Sequence, residues 1–240
     1  DLIQEAEKQI FTPPPLRAEK EAPQSFLTQE GVISLTNAER AKNGLPALKE
    51  SLILDASARA KVLDMFKNQY FAHDSPAGLS VGDLAESAGY DFLIIGENLA
   101  LGNFENDQAL VQAWMDSPGH RANILNANYR EIGVFVQKGS FEGKTTWLAV
   151  QHFGKPVSAC PAPSAALKTE IQTSQNQLSA IQNTLDVLRA ELQTISRRDR
   201  ETYNQKFEQY NDFVSQYNNL SAEIKIMVAT YNDQVKIFNL

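Results

Sequence analysis

Residues 114–125 read Trp114-Met115-Asp116-Ser117-Pro118-Gly119-His120-Arg121-Ala122-Asn123-Ile124-Leu125, and the fold is read outward from them. A helix over about 107–116 runs into Ser117-Pro118-Gly119. Proline there has no amide hydrogen to give and glycine no Cβ to restrain it, so the helix does not easily continue. His120 follows at once, a titratable side chain placed at a change of direction. Trp114, on the helix before the break, reads as a core residue.

Downstream, Ile132, Val134 and Val136 alternate with other residues, as do Thr146, Leu148, Val150 and His152. A period of two predicts two half-buried strands, here flanking a turn that contains Gly139 and Gly143. Upstream, a short apolar run from Phe92 to Ile95 leads into Gly96-Glu97-Asn98, a neighbourhood expected where backbone turns closely around a polar centre. A short helix is expected near 81–88, preceded by the loop His73-Asp74-Ser75-Pro76. Further back, Ser51 opens a helix with Leu52, Ala56, Ala60, Leu63 and Phe66 at helical spacing. Thr28 caps a helix that ends near Asn43, where Gly44 and Pro46 stop it. Residues 1–27, with Pro13-Pro14-Pro15 and Pro23, favour extended backbone and read as an arm or linker.

From Ser164 to Leu240 the chain has no glycine and no proline. Leu167, Ile171, Leu178, Ile181, Leu185, Leu188, Leu192 and Ile195 form one seam at spacings of three and four, interrupted at Ser174. Tyr203, Phe207, Tyr210, Val214, Tyr217, Ile224, Val228, Tyr231, Val235 and Phe238 form a second, interrupted at Ser221. Ile195 and Tyr203 are out of heptad register, and the residues between them are polar. An antiparallel coiled-coil hairpin turning near 196–201 explains this more simply than one continuous helix. The domain reading is therefore an arm at 1–27, a mixed domain at 28–158, a proline-rich joint at 159–163 and a helical coiled coil at 164–240.

Bulk properties remove some functions. The formal charge is −7, from 29 acidic and 22 basic side chains, so no basic excess is available to neutralise nucleic-acid phosphates. A single cysteine, Cys160, cannot form a disulfide within the chain; an inert thiol and an intermolecular disulfide are both open for it. No run of about 18 apolar residues spans a membrane, and no signal-peptide pattern is present, so an exported protein would have lost its signal.

The three histidines, His73, His120 and His152, sit in a loop beside Asp74, after the helix break, and on the apolar face of a strand. The residues around them resemble the bacterial branch of the CAP superfamily, which includes cysteine-rich secretory proteins, venom antigens and plant pathogenesis-related proteins. The resemblance spans about 28–156: Thr36-Asn37-Ala38-Glu39-Arg40 with Gly44-Leu45-Pro46, Phe71-Ala72-His73-Asp74-Ser75-Pro76, Gly96-Glu97-Asn98-Leu99-Ala100, the 114–125 stretch, Glu131-Ile132-Gly133-Val134 and Gln151-His152-Phe153-Gly154. It implies an α+β fold, a three-layer α-β-α sandwich, ahead of the helical hairpin. It also implies a cleft of two histidines and two glutamates that in several members binds a divalent cation such as Zn²⁺. His73, Glu97 and His120 match three of the four. The place of the second glutamate holds Ser117, which removes one ligand or supporting carboxylate; Asp74, Asp116 and Glu131 are the candidates to replace it. Arg121 is placed to pair with a carboxylate, and His152 is a supporting residue.

Three functions follow as expectations. The first is a secreted or cell-surface binding module whose cleft takes a divalent ion or a small apolar ligand, with residues 164–240 joining a protein partner or a second copy. The second is a metal-dependent, peptidase-like hydrolase with Glu97 as base. The third is an architectural surface protein. No serine or cysteine lies in a nucleophile-elbow sequence, which favours binding over catalysis.

Overall fold

A computed structural model describes residues 8–159, 161–196 and 198–238 of the chain. Residues 8–159 and 161–238 belong to two separate compact units.

The first unit is built on β4 (Phe92–Leu101), β5 (Glu131–Phe141) and β6 (Lys144–Pro156), with short strands β1 (Gln9–Phe11), β2 (Leu16–Arg17) and β3 (Lys49–Glu50) at the edges. The order is β1-β4-β6-β5-β3, with β2 also on β4; β5 and β4 run antiparallel to β6. The β5–β6 turn is two residues, Glu142 and Gly143, both at positive φ (50° and 76°), the geometry that suits the twist of paired strands. Gly139, expected in that turn, lies instead within β5, where the Phe66 ring presses on it.

Helices cover both faces. Against one lie α2 (Leu52–Asn68) and α3 (Val81–Ser87): Ala58, Val62 and Met65 pack on Leu99, Leu148 and Val150, while Leu54, Val81 and Ala85 pack on Phe92 and Ile95. The other face holds α1 (Gln29–Lys42), α4 (Asp107–Asp116) and α5 (Pro118–Ile124). Thr28 caps α1 through Gly31 N, and its own N–H and hydroxyl donate to Asp107 in the first turn of α4 (2.7 and 2.6 Å), which ties two helix starts together. This is the expected three-layer α-β-α sandwich.

Two sequence expectations need correction here. The buried face of α2 is Leu54, Ser57, Ala58, Lys61, Val62 and Met65, whereas Leu52, Ala56, Ala60 and Leu63 face outward. Two polar residues on the buried face shifted the apparent apolar stripe. Residues 8–27 are no free linker: β1 and β2 add to the edge of β4, and Ala18, Ala22 and Phe26 donate to the carbonyls of Leu101, Asn103 and Glu105.

In the second unit α6 (Ala165–Thr194) and α7 (Arg200–Phe238) form an antiparallel hairpin. Ser164 N donates to Gln234 Oε1 at one end, and Lys206 pairs with Glu191 at 2.8 Å near the other. Ile171 packs among Ile224, Val228, Tyr231 and Val235, so the two seams meet over this part, whereas Tyr203 and Phe207 at the start of the second seam are exposed. Cys160 and Arg197 lie outside the described residues.

Candidate functional site

β4 supplies the centre of the site. Glu97, in mid-strand rather than in a turn, is fully buried, and its direct cross-strand partner is His152 on β6. Strand alternation sends both side chains to the α2 face. There His152 Nε2 lies 2.9 Å from Glu97 Oε2, and its Nδ1 lies 3.0 Å from Ser57 Oγ on α2. The carboxylate needs a donor at Nε2, so the serine hydroxyl donates to Nδ1 and the ring is held in one tautomer. The other carboxylate oxygen takes His73, Nδ1 to Oε1 at 2.6 Å. His73 Nε2 contacts the carbonyl of Pro13. Both of its nitrogens thus face acceptors, and the ring donates to both only when it carries two protons.

Burial alone would push the Glu97 carboxyl up. The two imidazole hydrogen bonds, aided by the Lys61 ammonium, outweigh burial and hold it at about 2. Lys61, buried on α2, donates to the His73 carbonyl and so anchors the loop that carries the ring; burial lowers its own pKa.

His120 is on α5, on the opposite face. Its Nδ1 lies 2.8 Å from Ser117 Oγ, its carbonyl accepts from Asn98 Nδ2, and its Nε2 is buried with no hydrogen-bond partner. Burial, then the nearby charge of His73, lowers its pKa to about 4, so it is neutral at physiological pH. Asn123, one turn on, donates to Asn98 Oδ1 (3.0 Å) and to the carbonyls of Glu97 and Phe11, while Tyr129 OH donates to its Oδ1. Gly96 makes room for this phenol: a Cβ there would stand 2.1 Å from Tyr129 Oη.

His73, Glu97 and His152 therefore meet in one hydrogen-bonded chain, and His120 with Ser117 lies within electrostatic reach of it. The other proposed supports do not gather there. Asp74 and Asp116 are exposed, with Asp116 accepting from Gln112; Arg121 donates to the Met115 carbonyl rather than to a carboxylate; Glu131 starts β5 near Tyr90. The sequence reading missed Ser57, Lys61, Asn123 and Pro13. For the first two the signal is a polar residue at the core spacing of α2, and for Asn123 it is a position one helical turn after His120.

These donors do not make a resident site for a divalent cation. Both Glu97 oxygens are engaged by imidazoles, His73 Nε2 is engaged by Pro13, and only His120 Nε2 is unengaged. Among the described residues no three His, Cys, Asp or Glu side chains are grouped to hold a metal ion.

Residues 33–153 match the model of the family described as "CAP: Cysteine-rich secretory protein family". The chain is 43% identical over 142 residues to the uncharacterized protein YkwD of Bacillus subtilis (strain 168), covering 56% of this chain and 55% of that one. It is 35% identical over 111 residues to the uncharacterized membrane protein YlbC of the same organism, covering 46% and 32%. It thus spans about half or less of the length of these relatives. Among solved structures, an extracellular protein containing an SCP domain from Bacillus anthracis str. Ames is 31% identical with a TM-score of 0.46, over 53% of this chain and 40% of that one. An outer surface protein from Borrelia burgdorferi is 21% identical with the same TM-score of 0.46, over 55% and 98%. Among the described residues no helix is long and apolar enough to cross a membrane.

Proposed function

Because this chain belongs to the CAP family of cysteine-rich secretory proteins, we propose that it is an extracytoplasmic binding module whose cleft holds a ligand rather than turning one over. The observation that carries this reading is the state of Glu97. A general base must be free to take a proton, with a pKa near the working pH. Glu97 is fully buried, hydrogen-bonded through both oxygens and held at about 2. It serves as the rigid support of two imidazoles.

The group left for a ligand is the unpartnered Nε2 of His120, since a buried polar atom without a partner costs about 1–3 kcal/mol that a bound donor or acceptor would recover. A small polar or amphipathic ligand suits it better than a divalent ion, for which too few donors are free. The helical hairpin is the attachment or assembly element. Val187, Ile226 and Ile237 lie singly outside its seam and exposed.

The test is elemental analysis and mass spectrometry of small molecules that copurify with the full chain, repeated on a His73→Ala, His120→Ala double variant, with peptide and ester turnover assayed in both. The expected result is a bound species present in the wild type and absent from the double variant, with no turnover. Metal-dependent turnover that disappears with His73→Ala would replace this reading with a hydrolase.

A further inference from the structure

β4 meets His73 on one face, through Glu97, and α5 on the other, through Asn123. The occupant of its edge is the N-terminal arm. Phe11 pairs with Gly96 and Leu16 with Ala100, so four arm residues, Thr12 to Pro15, stand against three on β4, Glu97 to Leu99. Three of the four are prolines. They have no amide hydrogen for the ladder, and their fixed φ favours a stiff extended rod. The arm leaves the sheet opposite the site residue Glu97 and rejoins it opposite Ala100.

What meets the arm there is chiefly a set of main-chain contacts. Asn123 Nδ2 donates to the Phe11 carbonyl at 3.2 Å, and His73 Nε2 contacts the carbonyl of Pro13, two residues on. Two side chains, one from each helical layer, thus meet the main chain of one peptide. Gly119 provides room for the proline ring: a Cβ at Gly119 would stand 2.6 Å from Pro13 Cβ. By contrast the side chains of β1 are exposed, Ile10 at 48% and Phe11 at 40%. Strand pairing and the contacts with His73 and Asn123 hold the middle of the arm, while Lys8 on Glu86 and Arg17 over the Phe71 ring fasten its two ends.

We propose that His73, Asn123, Gly119 and the open edge of β4 form a groove for an extended peptide with a proline at the second of the two carbonyls, and that residues 9–17 are its intramolecular occupant. The inference rests on the binding-module reading and adds to the His120 ligand a second one: a proline-bearing segment of another protein, added as a parallel strand in the manner of β-augmentation. Tethering gives the arm an effective concentration in the millimolar range, so the groove opens to a peptide in trans only when that peptide binds better or the arm is loosened.

The probe is a fluorescent peptide with the sequence of residues 8–18, titrated by anisotropy against the full chain. In a Pro13→Gly, Pro14→Gly, Pro15→Gly variant the arm loses its stiffness while every groove residue stays in place. This variant is expected to bind the peptide at least tenfold more tightly than the wild type, and adding Asn123→Ala is expected to cut that binding at least tenfold. A version of the peptide with its prolines replaced by glycine should bind at least tenfold more weakly.

Three results would overturn the proposal. One is no binding by the triple variant when circular dichroism and its melting temperature show it folded; Pro14→Gly alone provides a milder variant for the same measurement. Another is equal binding of the glycine peptide. The last is a wild-type dimer that exchanges arms and is lost in the triple variant, because the occupant would then be a second copy. A copurifying ligand lost with His120→Ala, together with no peptide binding, would remove the groove and leave the binding module standing; turnover would remove the module itself.

Discussion

Ser117 Oγ lies 2.8 Å from Nδ1 of His120, so a neutral hydroxyl stands beside the imidazole where the family resemblance would put a second carboxylate. This pairing leaves His120 without a charge partner, and burial then keeps the ring neutral, with a pKa of about 4. Ser117→Glu would bring a carboxylate to the ring. An opposite charge at hydrogen-bond distance raises an imidazole's pKa, commonly by a unit or more. The His120 resonance in a proton NMR titration is expected to move from about 4 toward or above 6, and Zn²⁺ affinity by calorimetry is expected to rise at least tenfold as a carboxylate joins the free Nε2 of His120. An unmoved titration would mean that Ser117 does not set the charge state of His120.

His120 and Asp55 should give opposite pH dependences of stability. The lowered pKa of His120 means that the unfolded chain takes a proton below about 6.5 while the folded chain resists until about 4, so its contribution falls as pH drops through that window. Asp55, at the start of α2, has one oxygen accepting from Val134 N and the other buried without a partner. Burial raises its carboxyl to about 6, so its contribution falls instead as pH rises from about 3.8 to 6. The two partly cancel between pH 4 and 6. In urea unfolding, Asp55→Asn should uncover a loss of stability with acid over that range, and His120→Gln should uncover the reverse slope.

Glu97→Gln tests the support role of the central carboxylate. An amide has one acceptor and one donor end, so it cannot accept from both His73 Nδ1 and His152 Nε2, and one ring must lose its bond or change tautomer. Leaving a buried charged network without one partner typically costs about 3–5 kcal/mol. The variant should unfold at markedly lower urea. It should also lack the part of the acid sensitivity that the depressed carboxyl confers in the wild type, which is full above about 4.5 and lost as pH falls toward 2.

How far the sequence reaches is visible in α2 and β4. The cap at Thr28, the strand alternation of 146–152 and the two C-terminal seams follow local rules of spacing and chemistry, and they survive folding because nothing nonlocal opposes them. Ser57 and Lys61 break the apolar stripe of α2 because they serve partners distant in sequence, the His152 ring and the His73 carbonyl. Their presence misdirected the reading toward the exposed Leu52 and Leu63. Gly96-Glu97-Asn98 looked like a turn for a similar reason. Its glycine answers to the Tyr129 phenol across the site rather than to its own backbone, and no spacing rule contains that contact. The arm is the clearest case: three prolines announced extended backbone, but docking on β4 depends on an open sheet edge formed some 80 residues away.

The same glycine-to-alanine change at two positions should separate contacts that cannot yield from one that can. At Gly133 a Cβ would stand 2.2 Å from the Leu54 carbonyl carbon and 2.3 Å from Asp55 N, both backbone atoms at the start of α2. Neither can move without pulling the helix off the sheet, so Gly133→Ala is expected to cost at least the 1–3 kcal/mol typical of overpacking and to lower the melting temperature by several degrees or more. At Gly119 the obstacle is Pro13 Cβ, which belongs to an arm with exposed side chains on the sheet edge. There the arm yields first: Gly119→Ala should melt within a degree or two of wild type, while hydrogen exchange by mass spectrometry shows residues 9–17 losing protection. Equal destabilisation by both substitutions, with no local change in exchange, would mean that the arm is as firmly built into the fold as α2.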